Sequence, residues 1–326
     1  YNGGVFMNSN EFSYIKEVAK QKSFSKASKA LGISQPALSN FVKKLEEKLG
    51  VPLFDRSISP IEITEFGMAY LDYANDVLDA TDRLNNVMSD LQDLKQGEIT
   101  MGSVVCFSTG YLPGPISVFR KKYPGITFKL IEEKVPEMMN KCLVGDVDMF
   151  LTDGRIDDEL FDKEELFSER LLMAVPKDAE INDRIKEYGI PTEELLQGKV
   201  DYSKIKTLDM NEVKDEEFVL LNEDQHVRRM VDGIFEKAGF SPRVALYTSQ
   251  TITGLAMSVA NVGISFVTET TVKFNNIKEH ACYYKVGTTE DSTRTMCVAY
   301  KKGKYISKAG RKFIEILQQE LLSLIH

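Results

Sequence analysis

The chain has 326 residues, 43% of them hydrophobic and 28% charged, with a formal net charge of −8. That length has room for about two or three domains, and the composition excludes a chain too polar to fold. The acidic total argues against a protein that simply coats nucleic acid, and no apolar run reaches the roughly 18 residues a membrane helix needs. The longest weakly polar stretch, Gly254 to Val267, is broken by Ser258, Asn261 and Ser265. No signal-peptide pattern opens the chain; Met7 reads as the start, with Tyr1 to Phe6 upstream of it. The cysteines Cys106, Cys142, Cys282 and Cys297 form no C-x-x-C pair, which fits a reduced, cytoplasmic setting without a membrane partner.

Near the N-terminus, Phe24, Ala27, Ala30 and Leu31 predict a short helix closed by a tight turn at Gly32. Ser34 is placed to cap the next helix, and Pro36 in its first turn lacks an N–H that would have no partner there. Leu38, Val42, Leu45 and Leu49 recur at helical spacing and form one buried stripe. Gln35, Ser39, Asn40, Lys43 and Lys44 fall on the other faces, open to bases and phosphates. Gly50 stops this helix, the short alternating segments within Gly50–Arg56 and Ile61–Gly67 read as a small hairpin, and Thr64 caps the next helix. Periodicity alone permits an ordinary amphipathic helical hairpin. The hairpin and its flanking caps point instead to a winged helix-turn-helix with Arg56 on the wing. Between Met7 and Phe66 nine Lys and Arg face seven Asp and Glu, so this segment is +2 within an acidic chain.

From Gly67 to Lys95 no Pro or internal Gly interrupts the chain, which predicts one long helix. Tyr70, Ala74, Val77, Thr81, Leu84, Met88 and Leu91 alternate steps of four and three, a heptad seam suited to pairing with a second copy. Gln96-Gly97-Glu98 ends it, and an α/β pattern begins. Strands are predicted at Ile99–Gly102, Ile126–Ile131 and Val147–Leu151, with helices around Pro113–Lys122 and Met138–Val144 between them. This βαβαβ order predicts a largely parallel sheet flanked by helices, with ligands at the carboxyl ends of strands. A second unit is predicted from Leu171–Pro176 onward. It carries strands at Phe218–Leu221, Arg243–Tyr247 and Gly263–Val267 and helices at His226–Ala238 and Thr251–Asn261.

The order SF-x-x-A-x-x-L-x-x-SQPALS, then LE-x-x-LG-x-x-LF-x-R, then T-x-x-G, resembles the N-terminal domain of LysR-type transcriptional regulators. Further segments similar to that family are YLPGPISVFRKKYPGI at 111–126, VGDVDMFLTD at 144–153, EKAGFSPRVAL at 236–246 and SVANVGISFVTET at 258–270. The resemblance implies an α/β architecture. A winged helix-turn-helix would span 7–66, a dimerising linker helix 67–96, and an effector-binding domain 97–326. That last domain would resemble periplasmic binding proteins, with two Rossmann-like subdomains at about 97–169 with 269–326, and about 170–268. It also implies a homodimer or homotetramer that binds double-stranded promoter DNA, responds to a small-molecule effector and works with RNA polymerase. Gln35, Pro36 and Ser39 would touch base edges, and Lys43, Lys44 and Arg56 phosphates. The sequence departs from the family at Asn40, where an Arg is common, and in the wing from Ser57 to Glu62, which lacks a second basic residue. Both departures imply modest affinity and dependence on paired binding. The stretch Asp178–Lys214 is longer and more charged than the family suggests, which predicts an added helix, an oligomer contact or a solvated surface.

Three segments should line the effector cleft: a loop at Val105–Gly110, Thr152–Arg155 and Tyr247–Thr251. Where the family commonly has a hydroxyl residue, this chain has Val105, Cys106 and Val135. An apolar effector, or one held from Ser108, Thr109, Thr248 and Ser249, then fits better than a simple carboxylate. Each hydroxyl has a plainer reading as a helix cap. Cys106 near a helix start is a second hypothesis, a redox or electrophile sensor, against the plainer reading of a small pocket-lining residue. His226 falls at a helix start beside the cleft; with His280 and His326 it shows no metal-ligand spacing. No G-x-S-x-G, Walker loop or H-E-x-x-H occurs, and no cofactor is called for. The rival readings are a solute-binding or enzymatic domain fused to a DNA-binding head, and an architectural DNA binder without an effector.

Overall fold

The computed structural model describes residues 9–91, 94–223, 225–274 and 281–325. The readings of Met7, His280 and His326 lie outside them. The chain divides into two compact units, residues 1–91 and 92–326.

In the first unit, α1 (Ser9–Gln21), α2 (Phe24–Ala30) and α3 (Gln35–Leu49) pack around one core. Leu38, Val42 and Leu45 of α3 are buried there against Phe12, Ile15 and Phe24, as the stripe predicts, while its last member, Leu49, is only partly buried. The Ser34 hydroxyl accepts from the Ala37 amide at 3.3 Å, and Gly50, at φ +74°, closes α3 by donating to the Glu46 carbonyl at 2.8 Å. β1 (Phe54–Asp55) and β2 (Glu62–Ile63) pair antiparallel and form the wing. The Thr64 hydroxyl then accepts from the Gly67 amide at 2.9 Å and starts α4 (Glu65–Leu91), a helix on the order of 40 Å long. Gly67 is required by close approach: a Cβ there would lie 2.1 Å from the Leu53 carbonyl oxygen.

The predicted seam on α4 needs correction. Tyr70 and Ala74 are buried in the core of their own head, and Val77 packs partly against it. Thr81 is exposed, its hydroxyl donating to the Val77 carbonyl at 2.9 Å. Among the described residues beyond the first turn of α4, the apolar ones facing outward include Tyr73 (51% exposed), Ala80, Leu84 (60%) and Val87 (39%). Together with half-buried Val77 they keep steps of four and three, so the stripe available to a partner is Tyr73-Val77-Ala80-Leu84-Val87. The side chains of Met88 and Leu91 lie outside the described residues. The helix begins two residues before the predicted boundary at 67, and its first half belongs to the head.

The second unit runs β3 (Gly97–Ser103), α5 (Val105–Gly110), α6 (Pro113–Lys122), β4 (Ile126–Glu132), α7 (Val135–Leu143), β5 (Met149–Thr152) and a 15-residue β6 (Phe161–Val175). It continues through α8 (Ile181–Ile185), β7 (Gly189–Ile190), α9 (Thr192–Gln197), β8 (Glu217–Leu221), α10 (His226–Ala238), β9 (Arg243–Thr248), α11 (Thr251–Val259) and β10 (Ile264–Thr268). It closes with α12 (Glu269–Phe274), β11 (Cys282–Lys285), α13 (Thr289–Ser292), β12 (Thr293–Lys301) and α14 (Lys308–Ile325). Short 3₁₀ turns at Lys186–Tyr188 and Met210–Val213 flank the middle of this region.

The described strands of this unit form one ten-stranded sheet in the order β4-β3-β5-β12-β6-β10-β8-β9, with β11 on β6 and β7 on β11. Each half repeats one motif: the first strand lies between the second and third, all parallel, as β4-β3-β5 and as β9-β8-β10. Antiparallel strands join the halves. β6 pairs with β12 from Phe161 to Arg170 and with β10 from Leu171 to Ala174, so it crosses between lobes at Arg170. The sequence reading misses its first half because Lys163, Glu164, Glu165 and Glu169 are poor strand formers; pairing with β12 overrides that preference.

The stretch 282–286, predicted for the first lobe, belongs with the second, because β11 pairs with Leu172–Val175 and Tyr284 and Val286 lie in the second lobe's core. The long segment 178–214 forms not one added helix but α8, β7, α9 and two 3₁₀ turns.

Candidate functional site

The outward face of α3 carries exposed Gln35, Pro36, Asn40, Lys43 and Lys44, with Ser39 half-buried. Ser34 itself is engaged as the cap. Lys43 lies 3.7 Å from Glu47, an exposed pair that contributes little. Arg56 is held: its guanidinium donates to Glu46 Oε2 at 2.7 Å and lies 4.7 Å from the Phe24 ring centroid. Glu46 Oε1 also accepts the amides of Leu53 (2.8 Å) and Phe54 (3.2 Å), so one carboxylate ties the wing to α3 and restrains its arginine. Sequence reading misses Glu46, although its place in the LE-x-x-LG motif is a usable signal.

In the second unit a narrow recess, with only about 20 Å³ of free space, lies where α5, α11 and the start of α12 converge. Cys106, Phe107, Tyr111, Ile252 and Arg294 line it, with the hydroxyls of Thr109, Thr251, Thr268, Thr270 and Thr271. The hydroxyls form a relay: Thr251 meets Thr271 at 3.1 Å, Thr271 meets Thr268 at 2.9 Å, and Thr268 meets Thr270 at 3.1 Å. Thr270 and Tyr111 both donate to Glu169 Oε2, Tyr111 at 3.0 Å. Glu169 Oε1 accepts from Arg294 Nε at 2.7 Å; the carboxylate is 1% exposed and the guanidinium side chain 9%. Among the described residues, the only cation lining the recess is therefore already neutralised.

Of the predicted effector residues, the structure brings Cys106 and Thr109 to this recess together with Thr251, and places the others elsewhere. Val105–Gly110 is a helix rather than a loop, so Ser108 donates back to the Val104 carbonyl at 3.3 Å and Thr109 to the Val105 carbonyl at 3.0 Å. Val105 faces solvent, 49% exposed. Val135 packs partly against the core beside Met138 and Phe150. The Thr248 carbonyl accepts the Asn222 amide, and the Ser249 hydroxyl accepts from the Asn222 side chain at 2.9 Å. Thr152 is fully buried, and its hydroxyl has no hydrogen-bond partner among the described residues. A roomier depression of about 430 Å³ beside α6, lined by Pro113, Ile116, Arg120 and Pro124, is open to solvent.

His226, at the start of α10, bonds through Nδ1 to Asp153, which follows β5, and so bridges the two lobes. Burial lowers the His226 imidazole, and the bond to Asp153 offsets this only in part. Burial alone would raise the Asp153 carboxyl, but the bond and charge of His226, with Arg294 and Arg155 nearby, leave it below its usual value. Both groups of the pair thus sit below their usual values.

Cys106 is not an activated thiol. Burial pushes it up to about 11, Arg294 opposing and Glu169 assisting. About one thiol in ten thousand is then ionised at pH 7. Iodoacetamide at pH 7 is expected to label Cys106 well below the rate of a free thiol peptide, read by mass spectrometry; an equal or faster rate would reinstate a reactive role.

Two family models match the chain. "LysR substrate binding domain" covers residues 92–322, and "Bacterial regulatory helix-turn-helix protein, lysR family" covers residues 9–68. Among curated proteins, the chain is 26% identical over 315 residues to the HTH-type transcriptional regulator YcgK of Bacillus subtilis (strain 168), covering 94% of this chain and 93% of that one. It is 28% identical over 313 residues to YwbI of the same organism, covering 95% of each. Among solved structures, a full-length OxyR variant from Pseudomonas aeruginosa matches with a TM-score of 0.66 at 19% identity over 98% of this chain and 95% of that one. Full-length CbnR complexed with target DNA matches at 0.57 and 20% identity, over 96% and 99%. At these identities the solved structures speak for the fold alone.

Proposed function

Because this chain belongs to the LysR family of bacterial transcriptional regulators, we propose that it binds promoter DNA as a dimer through α3 and that a small molecule in the recess modulates that binding. The observation that carries the DNA half is the capped α3, whose apolar stripe is buried while Gln35, Asn40, Lys43 and Lys44 stand exposed on its other faces. Gln35, Pro36, Ser39 and Asn40 then meet base edges, and Lys43, Lys44 and Arg56 meet phosphates.

Pairing runs through the outward stripe of α4, and two such dimers make a tetramer able to hold separated half-sites. The effector is uncharged and offers hydroxyl or amide groups beside an apolar portion, because the recess supplies threonine hydroxyls, Phe107 and Ile252 but, among the described residues, no free cation. The two-lobed unit is read as a sensor without catalytic activity, since its curated relatives are named as regulators. RNA polymerase is the partner through which bound DNA would be read out.

The test is fluorescence anisotropy on DNA upstream of the chain's own gene, against scrambled DNA at several salt concentrations. Wild type is expected to bind selectively. Leu84→Glu, placing charge on the outward stripe, is expected to give a monomer by sedimentation at micromolar concentration and to weaken DNA binding about 100-fold or more, the loss of linked half-site binding. A variant that stays dimeric would remove α4 as the pairing element. Equal affinity on both DNAs would remove the proposed operator.

A further inference from the structure

The segment after α8, which the sequence marks only as long and charged, reaches the links between the two lobes. β7 adds itself to the edge of β11, and α9 packs against α12. Beyond α9, Val200, Tyr202 and Ile205 pack on a second-lobe cluster that includes Leu172, Leu255 and Val267. Lys285 of β11 fastens this stretch by donating to the carbonyls of Tyr202 at 3.0 Å and Ile205 at 3.1 Å.

At the crossing point, the amide of Arg170 on β6 donates to Glu269 Oε2 at 2.8 Å. Glu269 opens α12, directly after β10 of the second lobe. The Arg170 guanidinium donates at 3.1 Å to Ser292, which immediately precedes β12, the strand that returns the chain to the first lobe. The β6 crossing, the start of α12 and the entry to β12 therefore meet at Arg170 and Glu269. Tyr202 joins this cluster from outside all three: its hydroxyl donates to Glu269 Oε1 at 2.6 Å, and its ring lies 4.8 Å from the Arg170 guanidinium.

We propose that residues 186–206 are a strap that stiffens the links between the lobes, with Tyr202 as the positioning residue acting through Glu269 on Arg170. Tyr202 is well suited to constant donation, because burial and the Glu269 carboxylate keep its phenol protonated far above neutral pH. The strap rests on the reading of the two-lobed unit as a ligand-responsive switch, in which the ease of lobe rotation sets how strongly a ligand shifts the resting state.

Amide hydrogen exchange on the full chain tests it without DNA or ligand, so failure of either binding reading leaves this result separate. Tyr202→Phe keeps the ring on Arg170 and removes only the hydroxyl. It is expected to speed exchange in peptides covering 168–172 and 267–271 about tenfold, while peptides of α10 keep wild-type rates. Lys285→Met, which releases the strap with Tyr202 intact, is expected to give the same local pattern. Unchanged exchange at 168–172 in both variants would overturn the proposal. So would equal acceleration in α10, which would mark Tyr202 as ordinary packing of the second lobe.

Discussion

Replacing Glu169 with alanine is expected to destabilise the two-lobed unit by about 3–5 kcal/mol, the usual consequence of leaving a buried charge without its partner. Arg294, its side chain 9% exposed, would keep its charge with no carboxylate, and the Tyr111 and Thr270 hydroxyls would lose their common acceptor. For a unit of this size the thermal midpoint should fall by roughly 6–20 °C, measured by calorimetry on the full chain. Glu169→Gln keeps an acceptor for both hydroxyls and should lose less. The paired change Glu169→Leu with Arg294→Met should recover most of the loss, since apolar replacement of a whole buried pair is often neutral. A loss below about 1 kcal/mol for the alanine variant would place the pair among solvent-screened ones and remove it as the organiser of the recess.

That pair also marks where sequence reading stops. Glu169 and Arg294 are 125 residues apart and meet only because β6 and β12 place them directly opposite each other. No local pattern announces such a contact. The relay of Thr251, Thr268, Thr270 and Thr271 is hidden likewise, because single hydroxyls near helix starts look like caps. α5 reads as a loop because six residues are too few for a helical period to emerge. By contrast, α3 and α10 are long enough to carry their stripes and end at Gly50 and Gly239 in the left-handed region, so their bounds are legible. The α4 seam sits between these cases. Tyr70-Ala74 and Tyr73-Val77 both satisfy the heptad spacing, and only burial of the first pair in its own head decides which faces a partner.

The head offers the second large effect, through Glu46. Its carboxylate serves two ends: it receives the amides of Leu53 and Phe54, and it neutralises Arg56. Two variants separate them. Glu46→Ala removes both, leaving two amides of the wing without their acceptor, and is expected to destabilise the head by about 2–4 kcal/mol. Wing and α3 would then part, and DNA selectivity should fall with stability. Glu46→Gln keeps a carbonyl oxygen for the amides but frees Arg56 from its opposing charge. The wing arginine can then approach a phosphate without first leaving a carboxylate, so affinity should rise at low salt. The slope of log affinity against log salt should steepen by about 0.9 per head, or about 1.8 for a dimer. Lost selectivity in one variant and gained affinity in the other, from two changes at one position, is a pattern that general damage to the fold cannot produce. An unchanged slope in Glu46→Gln would mean that Arg56 stays on Phe24 in the complex and that the phosphate contacts belong to Lys43 and Lys44 alone.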